Sequence, residues 1–326
     1  MPTVDFHTHF YPREYLEAIE RGPSNVRLTR DAEGNPLLHY PGDYNVAVRA
    51  HRDLEFREAE VARQGVDVQV ITLTTPGTHV ETPAVAVRLA ALTNDALARA
   101  VRERAPRFRA LATLPLNDPA ASARELDRAV RQLGLPGAML FSNVNGVALA
   151  DARFWPLYET ANALEAVLFI HPTSPVGVEA MSEYWLMPLV GFLFDTTLAA
   201  AHLVFGGVPE RFPGIRWVLG HLGGAIPYLA ERLDRGWEAF PECRVEARLP
   251  PSHYLKRFFY DTVNFDRGAL ELAIRFAGAG QILAGSDYPH RIGSIERMKE
   301  SLGSLPIPES DRQAILGGNA ARLLGA

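Results

Sequence analysis

Short apolar runs alternate with longer segments of helical periodicity along the whole chain, and this alternation limits the possible folds more than any other feature. Most of the runs are continuously apolar, as expected for parallel strands that are buried on both faces. There are eight of them, at residues 4–10, 66–73, 110–116, 137–142, 167–171, 216–221, 258–263 and 282–286. The segments between them predict helices at 54–64, 84–104, 119–133, 154–164, 229–240, 267–277 and 295–302. Strands that alternate with helices favour βαβ units and a parallel sheet.

The number of strands then indicates the architecture. Eight strands in 326 residues predict an α/β protein of one domain, residues 1–326, built as a distorted (β/α)8 TIM barrel. An open doubly wound sheet is the alternative. Residues 21–45 interrupt the alternation, because they are polar, rich in glycine and proline, and follow the first strand. Connections of this length are usually functional or disordered, so we expect either an insertion that covers the barrel mouth as a lid or a hairpin without a role in the site.

The first apolar run contains two histidines, His7 and His9, two positions apart. Side chains alternate faces along a strand, so both imidazoles project to the same side, roughly 6–7 Å apart along the strand. Two imidazoles in this arrangement can converge on one divalent cation. By itself, such a pair is also typical of one surface histidine beside one buried, hydrogen-bonded histidine.

Three later residues strengthen the metal interpretation because of where they fall. His171, His221 and Asp287 each follow a short apolar run and come shortly before proline or glycine. Each is therefore predicted to lie at the carboxyl end of a strand. In a (β/α)8 barrel, active-site residues come from the ends of several strands at one face. A metal-binding residue type that recurs at strand ends is hard to explain by packing alone.

Three histidines and one aspartate form a ligand set that suits Zn²⁺, and Mn²⁺ is also possible. We predict His7, His9, His171 and Asp287 as ligands of one divalent metal ion. His221 then acts as a catalytic residue that polarises or deprotonates water, or that orients the substrate. In the competing arrangement, His221 is a ligand and Asp287 is the base.

Composition and charge narrow the class of function. The formal net charge is −5, which gives no reason to expect nucleic acid or an anionic membrane as a partner. Cys243 is the only cysteine, so an intramolecular disulfide and a thiolate metal cluster are both excluded. The longest apolar stretch, residues 186–205, contains Pro188, Asp195 and His202. We expect a helix packed on the barrel or at a subunit interface there, rather than a membrane span. The sequence shows no export signal, so we expect a cytoplasmic protein.

Six motifs in this chain occur together in one known group of enzymes. They are HTHFYP at 7–12, GVDVQV at 65–70, IHP at 170–172, GHLGG at 220–224, GSDYP at 285–289 and GNAARL at 318–323. Together they resemble the metal-dependent amidohydrolase superfamily, and within it the branch typified by aminocarboxymuconate-semialdehyde decarboxylase and γ-resorcylate decarboxylase. The resemblance covers nearly the whole chain and implies a distorted (β/α)8 barrel, the fold that the strand count indicates independently.

The resemblance also implies a chemistry. It suggests a mononuclear site with His7, His9, His171 and Asp287 as ligands and with His221 as the catalytic histidine. In the decarboxylases of this branch an acid, here Asp287 or His221, protonates the carbon as CO₂ leaves. We therefore expect a metal-dependent decarboxylase of a small aromatic or unsaturated carboxylic acid. The alternative is a metal-dependent hydrolase of a lactone, amide or C–C bond. A non-catalytic metal-binding protein would need the strand-end ligands to coincide by chance. The resemblance and the apolar stretch at 186–205 also predict a homodimer.

Substrate contacts are harder to predict. In aminocarboxymuconate-semialdehyde decarboxylase, which the chain resembles, the insertion after the first strand carries a substrate-binding arginine. By rough alignment back from residues 65–67, Asn45 stands at that place here. Arg49 and Arg52 are close enough in sequence to substitute for it. Loss of a bidentate carboxylate clamp would change the choice of substrate, so Asn45 and Arg49 both become candidate contacts.

Other candidates follow later strands. Asn143, Trp185 and His290 could face the substrate. The alternatives are turn chemistry for Asn143, packing for Trp185 and orientation of Asp287 for His290. Four further histidines lack a strand-end position and are predicted to be ordinary surface or capping residues: His51, His79, His202 and His253.

Overall fold

Eight parallel strands carry the fold. The computed structural model describes residues 1–40 and 43–325, so Pro41 and Gly42 of the predicted insertion, and the terminal Ala326, lie outside the described residues. The strands are β1 (Val4–His9), β2 (Val68–Thr72), β3 (Phe108–Ala110, continued as Ala112–Thr113), β4 (Gly137–Phe141), β5 (Val167–His171), β6 (Arg216–Leu219), β7 (Phe259–Asp261) and β8 (Ile282–Leu283). β5 has the predicted bounds, and the other strands are shorter than predicted or displaced by a few residues.

Hydrogen bonds close these strands into a circle. Each strand pairs in parallel with the next, from β1 to β8. Between β8 and β1, the amide of Phe6 donates to the carbonyl of Ala284 at 2.8 Å, and the amide of Asp287 donates to the carbonyl of His7 at 2.9 Å. The predicted (β/α)8 barrel is therefore confirmed, and the open sheet is excluded. Because β8 is so short, the barrel is distorted along residues 4–9 and 282–288, which we call the β1/β8 seam.

Helices cover the outside of the barrel close to where the periodicity predicts them. The long ones are Leu54–Arg63, Pro83–Glu103, Pro119–Arg131, Trp155–Ala163, Phe192–Phe205, Ile226–Ala239, Arg267–Ala277 and Ile295–Ser304. Shorter ones are Arg49–Arg52, Val208–Arg211 and Pro251–Leu255, and the chain ends with Glu309–Gln313, Ala314–Gly318 and Asn319–Leu324. Asp118 caps the helix Pro119–Arg131, because its carboxylate accepts a hydrogen bond from the amide of Ala121 at 2.9 Å.

The segment after β1 is more regular than its composition suggests. It begins with a helix, Arg13–Arg21, that the sequence pattern did not predict. Three strands follow and form an antiparallel sheet in the order Arg27–Arg30, Pro36–Tyr40 and Asp43–Val46. The last of these strands brings Tyr44 and Asn45 to the central cavity of the barrel, which they help to line. The insertion predicted at 21–45 therefore contributes to the wall of that cavity.

One apolar helix covers the barrel next to this cavity. Among the described residues, only Met187–Phe205 is long and apolar enough to cross a bilayer, by length and composition alone. Ala199 and Leu203 on its inner side belong to the hydrophobic core. Phe194 and Leu198 are exposed. The helix is part of the outer layer of the barrel and carries an exposed apolar face.

Candidate active site

Four side chains converge at the carboxyl ends of the strands. His7 and His9 come from β1, His171 ends β5, and Asp287 lies in the segment after β8. One ligand-type atom of each lies within 4.8 Å of the others, and all four residues are buried. The Nε2 atoms of His7 and His9 are 3.1 Å apart, and Oδ1 of Asp287 lies 3.1 Å from Nε2 of His9. The structure thus brings together the four residues that the sequence proposes as metal ligands.

Hydrogen bonds on the far side of each imidazole orient the three histidines. The partners of the Nδ1 atoms are Oδ2 of Asp261 for His7 (2.5 Å), Oγ1 of Thr72 for His9 (3.1 Å) and the carbonyl of Pro172 for His171 (2.8 Å). Thr72 donates its own proton to the carbonyl of Thr8, so its oxygen accepts from His9. Each ring therefore carries a proton on Nδ1 and leaves Nε2 for a ligand.

Asp261, at the end of β7, connects two parts of the site. Its Oδ2 accepts hydrogen bonds from the ring of His7 at 2.5 Å and from the amide of His221 at 3.0 Å. Its Oδ1 accepts from the amides of Leu222 at 3.0 Å and Val263 at 2.9 Å. Burial alone would raise the pKa of Asp261, but its interaction with the ring of His7 and the hydrogen bonds that it accepts from the backbone lower it. The ionised carboxylate therefore holds His7 and the turn that carries His221 in a fixed relation.

The protonation states of the cluster suit a cation. Burial holds the pKa values of His9 and His171 well below the ordinary imidazole value, so both rings are neutral. Burial also acts to lower the pKa of His7, but Asp261 raises it overall. Burial alone would raise the pKa of Asp287, yet His290 and the other neighbouring histidines hold it well below its ordinary value. Neutral imidazoles and an ionised carboxylate are the forms that bind metal. The hydrogen bond to Asp261 makes Nε2 of His7 a stronger electron-pair donor to a metal ion.

A divalent metal ion fits this arrangement. Nε2 of His171 is buried and has no hydrogen-bond partner among the described residues. An unpaired buried polar atom costs about 1–3 kcal/mol, and coordination would remove that cost. Three imidazole nitrogens and one carboxylate oxygen are a donor set that proteins use for zinc and related ions. His7, His9, His171 and Asp287 would hold the ion.

His221 lies beside this cluster. Its Nε2 is 3.8 Å from Oδ2 of Asp287, and its buried Nδ1 has no hydrogen-bond partner among the described residues. The φ angles of His221 and Asp287 are 53° and 60°, a left-handed conformation that costs a residue other than glycine about 1–3 kcal/mol. Such strain is concentrated at functional sites, and both residues reach the cavity described next.

A cavity of about 350 Å³ opens onto the cluster, a volume within the range of small-molecule sites. His171, His221 and Asp287 form part of its surface. A polar group of lining residues comprises Asn45, His51, Thr74, Thr75 and His290. An apolar group comprises Val46, Val48, Trp185, Pro188, Leu189 and Phe192. The cavity therefore combines catalytic-type groups with surface that can pack against a flat, apolar molecule.

Comparison with known proteins identifies the family. The sequence model described as Amidohydrolase matches residues 4–326. The chain belongs to the amidohydrolase family. A similar protein is the 2-amino-3-carboxymuconate-6-semialdehyde decarboxylase of Dictyostelium discoideum, which is 33% identical over 333 residues, 99% of this chain and 91% of the relative.

Solved structures agree with this membership. The 5-carboxyvanillate decarboxylase of Sphingomonas paucimobilis is 28% identical, has a TM-score of 0.86 and covers 99% of both chains. A dihydroxybenzoic acid decarboxylase of Polaromonas sp. JS666, solved with bound manganese, is 26% identical and has a TM-score of 0.81. The match covers 99% of this chain and 97% of the decarboxylase. The predicted resemblance to the decarboxylase branch of the amidohydrolases is confirmed.

Three of the predicted substrate contacts line the cavity of this amidohydrolase: Asn45, Trp185 and His290. The amide nitrogen of Asn45 donates to the carbonyl of Thr75 at 2.7 Å, which fixes the side chain in place. The ring of His290 lies 4.9 Å from that of His9 between centroids. Trp185 is 54% exposed, so it stands at the mouth of the cavity. Contact of these three residues with substrate stays a prediction.

Arg49, another predicted substrate contact, does not line the cavity, and its contact with substrate stays a prediction. Arg49 is exposed, its Nε lies 2.9 Å from Oδ2 of Asp53, and its guanidinium lies 4.6 Å from the ring centre of Phe56. Both partners are local in sequence, and they hold the side chain outside the cavity lining. Arg52 does not replace it, because its Nε donates to the carbonyl of Ala47 at 3.1 Å.

Asn143 does not line the cavity either, and its hydrogen bonds in the structure are made within the protein. Its amide nitrogen donates to the carbonyl of Ser174 at 3.0 Å and to Oδ2 of Asp195 at 2.8 Å. Its oxygen accepts from the amide of Gly146 at 2.8 Å. Asn143 therefore shapes the turn after β4 and does not line the cavity, as the turn-chemistry alternative had it.

Several residues near the site were not predicted. His51 and His79 are 1% and 2% exposed, so their prediction as surface or capping histidines is wrong. Asp261 ends an apolar run, as the predicted ligands do, and that position could have revealed it. Arg57 lies in a charged stretch that predicts an exposed helix face, yet it is fully buried. No sequence signal marked it.

Proposed function

We propose that this amidohydrolase is a metal-dependent decarboxylase of a small aromatic carboxylic acid. The observation that carries the proposal is a ligand cluster that opens onto a largely aromatic and aliphatic cavity. Trp185, Leu189 and Phe192 offer apolar surface to a ring, while Asp287 and His221 stand where a carboxyl group on that ring would react. The similar proteins described above are named as decarboxylases, which supports the reaction class.

The lining favours a substrate whose second polar group is neutral. Among the described lining residues, Arg291 is the only arginine or lysine, and it is exposed. Asn45 stands where an arginine was expected, and Arg49 lies outside the cavity lining. A second carboxylate on the substrate would move from water into the cavity without gaining a buried ionic partner, and that transfer is costly. We therefore infer that a hydroxyaromatic monocarboxylate fits this cavity better than a dicarboxylate.

Two side chains can manage the proton that the reaction needs. When bound, a divalent metal supplies Lewis-acid stabilisation of the negative charge that develops as CO₂ leaves. Cleavage of the bond to the carboxyl group leaves an electron pair on the ring carbon, which must then take up a proton. His221 and Asp287 are the candidates for holding that proton, because both reach the cavity and Nε2 of His221 lies 3.8 Å from Oδ2 of Asp287.

We propose Zn²⁺ as the resident ion, with Mn²⁺ as the alternative. Three imidazole donors favour zinc, whereas the manganese in the Polaromonas structure supports the alternative. Elemental analysis of the purified protein, with His7→Ala as the comparison, separates them. One zinc per chain that is lost in the variant supports the first assignment, and manganese at the same ratio supports the second. No binding of either ion after reconstitution would refute the metal site.

Release of CO₂ from a panel of acids tests the reaction. The panel contains hydroxybenzoates, aromatic dicarboxylates and, as hydrolase substrates, lactones. We expect CO₂ from the hydroxybenzoates, less from the dicarboxylates, and none when His221→Asn replaces the wild-type protein. A hydrolase is the second candidate, because the ring of His221, whose Nε2 lies 3.8 Å from Oδ2 of Asp287, would also suit removal of a proton from water. Lactone hydrolysis without CO₂ release from any acid would establish that alternative.

We also propose a homodimer that buries the exposed face of the helix Met187–Phe205. Val190, Phe194 and Leu198 follow one another at four-residue intervals and are 40%, 59% and 46% exposed, so they form one apolar stripe. Contiguous exposed apolar surface often marks an interface. Light scattering should give twice the chain mass of 35.9 kDa, and Phe194→Asp should shift the protein toward a single chain. A single-chain mass for the wild type at micromolar concentration would refute the dimer.

A further inference from the structure

A buried arginine lies next to the four metal-ligand candidates and has no role in the function proposed above. Arg57, in the helix Leu54–Arg63, has the largest fully buried side chain among the described residues. Burial lowers its pKa to about 10, so the guanidinium is charged at neutral pH. It forms no ion pair with a carboxylate of the described residues, and its Nη2 has no hydrogen-bond partner there. A buried cation without a directly paired carboxylate is unfavourable, so its hydrogen bonds and the more distant charge of Asp5 must offset that cost.

The first group of contacts joins Arg57 to β1 and to the end of the insertion. Nη1 donates to the carbonyl of His9 at 2.5 Å and to the carbonyl of Ala50 at 3.2 Å. Nε donates to Oε1 of Gln69, on β2, at 2.7 Å. The guanidinium therefore holds the backbone of His9, a predicted metal ligand, close to that of Ala50, where the chain returns from the insertion to the barrel.

The second group of contacts reaches the segment that carries Asp287. Gln69 donates to Oδ2 of Asp5 at 2.9 Å, and Asp5 accepts hydrogen bonds from the amide of Ser286 at 2.9 Å and from its hydroxyl at 2.6 Å. The guanidinium carbon also lies 4.9 Å from the ring centre of Tyr288, a cation–π contact. Ser286 and Tyr288 are the two neighbours of Asp287, so both sides of this ligand are connected to Arg57.

We propose that Arg57 is a positioning residue for the metal site. It holds the two strands of the β1/β8 seam so that Nε2 of His9 and the carboxylate of Asp287 face the same ion. The seam needs such a residue, because β8 ends at Leu283 and few main-chain hydrogen bonds cross to β1. The inference rests on the proposed function only in that the four-residue cluster binds a metal ion.

Three variants test the proposal. Arg57→Lys keeps a positive charge but cannot make the forked set of hydrogen bonds. Arg57→Met removes the charge as well as the hydrogen bonds. Arg63→Lys makes the same chemical change at an exposed position of the same helix and serves as the control. For each protein we would measure the affinity for Co²⁺ by competition with a chelator, the visible spectrum of the cobalt-loaded protein, and the urea midpoint of the metal-free protein. The spectrum reports the arrangement of the ligands, which a purely structural role would not alter.

We expect Arg57→Lys to weaken metal binding by about 10–100-fold, the range for groups that support a ligand, and to change the cobalt spectrum. Arg57→Met should weaken binding further, and Arg63→Lys should change neither quantity. A lower urea midpoint with wild-type affinity and spectrum in Arg57→Lys would overturn the proposal. If Arg57→Met does not fold, Gln69→Leu takes its place; it removes the acceptor of Nε and the link to Asp5 but keeps the bonds of Nη1 to His9 and Ala50, so it should weaken binding less than Arg57→Lys. None of these readouts needs a substrate, so a failure to release CO₂ would refute the proposed function and leave this inference standing.

Discussion

Two sides of the barrel are held together in different ways. β5 pairs over five residues with β4 and over four with β6, and its residues are all buried. At the β1/β8 seam the regular pairing is short, the register of β1 against β2 shifts between Asp5 and Thr8, and the buried side chains include polar and charged groups. We call the region of β4, β5 and β6 the ladder side. Three of the four metal-ligand candidates belong to the seam, and only His171 belongs to the ladder side.

This difference indicates how fold and site are separated in one barrel. A regular ladder specifies the backbone strongly, but it leaves side-chain direction to simple alternation. A seam connected by side-chain hydrogen bonds can set the direction of individual ligands, and a register shift re-aims the residues beside it. Changes on the ladder side should therefore act mainly on stability, whereas changes at the seam should act mainly on metal binding.

The largest effect should come from the seam. Asp287→Asn removes the charged ligand while keeping its shape, so we expect loss of tight metal binding and a fall in kcat/KM of at least about 10²–10³-fold. The main-chain bond from Asp287 to the carbonyl of His7 remains, but the contacts of the carboxylate with three histidines are weakened, so the free energy of unfolding of the metal-free protein should fall by about 1–3 kcal/mol. Elemental analysis, initial rates and urea unfolding measure these quantities. Retention of one metal ion per chain would show that Asp287 is not a ligand.

The matching change on the ladder side is Leu168→Ala in β5. Leu168 is fully buried, so truncation should lower the free energy of unfolding by about 2–5 kcal/mol. Metal affinity, measured in the folded protein well below its urea midpoint, should stay at the wild-type value. A comparable loss of metal affinity would mean that the two sides of the barrel are not separable.

The same division decides what the sequence could predict. Residues 167–171 were predicted with their observed bounds, because a continuous apolar run ending before Pro172 is a local signal. β8 was predicted to reach Ser286 but ends at Leu283, since pairing across the seam depends on distant residues. The ligands were found because their type and strand-end position are both visible locally.

Long-range contacts account for what was missed. Arg57 bonds to the carbonyl of His9, and no local pattern indicates a contact between residues so far apart in the chain. Arg49 lies outside the cavity lining because its side chain pairs with a residue close in sequence, Asp53, which directly follows the helix Arg49–Arg52.

His79 is a buried histidine outside the metal-ligand cluster, so its titration should affect stability and not metal binding. Its ring lies 4.5 Å from that of Phe141, in β4, between centroids, and burial lowers its pKa from 6.5 to about 4. Between these values the folded protein binds fewer protons than the unfolded chain. The stabilising contribution is therefore complete above pH 6.5 and is lost as the pH falls toward 4, a change of about 3 kcal/mol.

Substitution of His79 by Phe removes this titration. Urea unfolding near pH 4 and near pH 7 should show a smaller pH dependence in His79→Phe than in the wild type, by about that amount. Metal affinity near pH 7 should be unchanged, because His79 lies outside the cluster. An equal pH dependence in both proteins would show that His79 titrates normally in the folded state.

The smallest of the four effects should come from Asp261→Asn, which acts on both sides of the comparison. Asp261 contacts His7 at the seam and, through the amides of His221 and Leu222, the turn after β6. An asparagine cannot accept all of these hydrogen bonds and no longer makes His7 a stronger donor, so metal affinity should fall by about 10–100-fold. Asp266→Asn, at an exposed helix cap, is the control and should leave metal affinity unchanged.

The rate at saturating metal then shows which contact of Asp261 matters more. If Asp261 acts mainly by orienting His7, excess metal ion should restore kcat to Asp261→Asn, because the ligand cluster is refilled by mass action. If it acts mainly by holding the turn of His221, kcat should stay low when the metal site is full, because the proton-handling group is displaced. Wild-type metal affinity and wild-type kcat together would contradict both roles. The seam would then set the ligand geometry without help from β7, which would make Arg57 the principal support of the site.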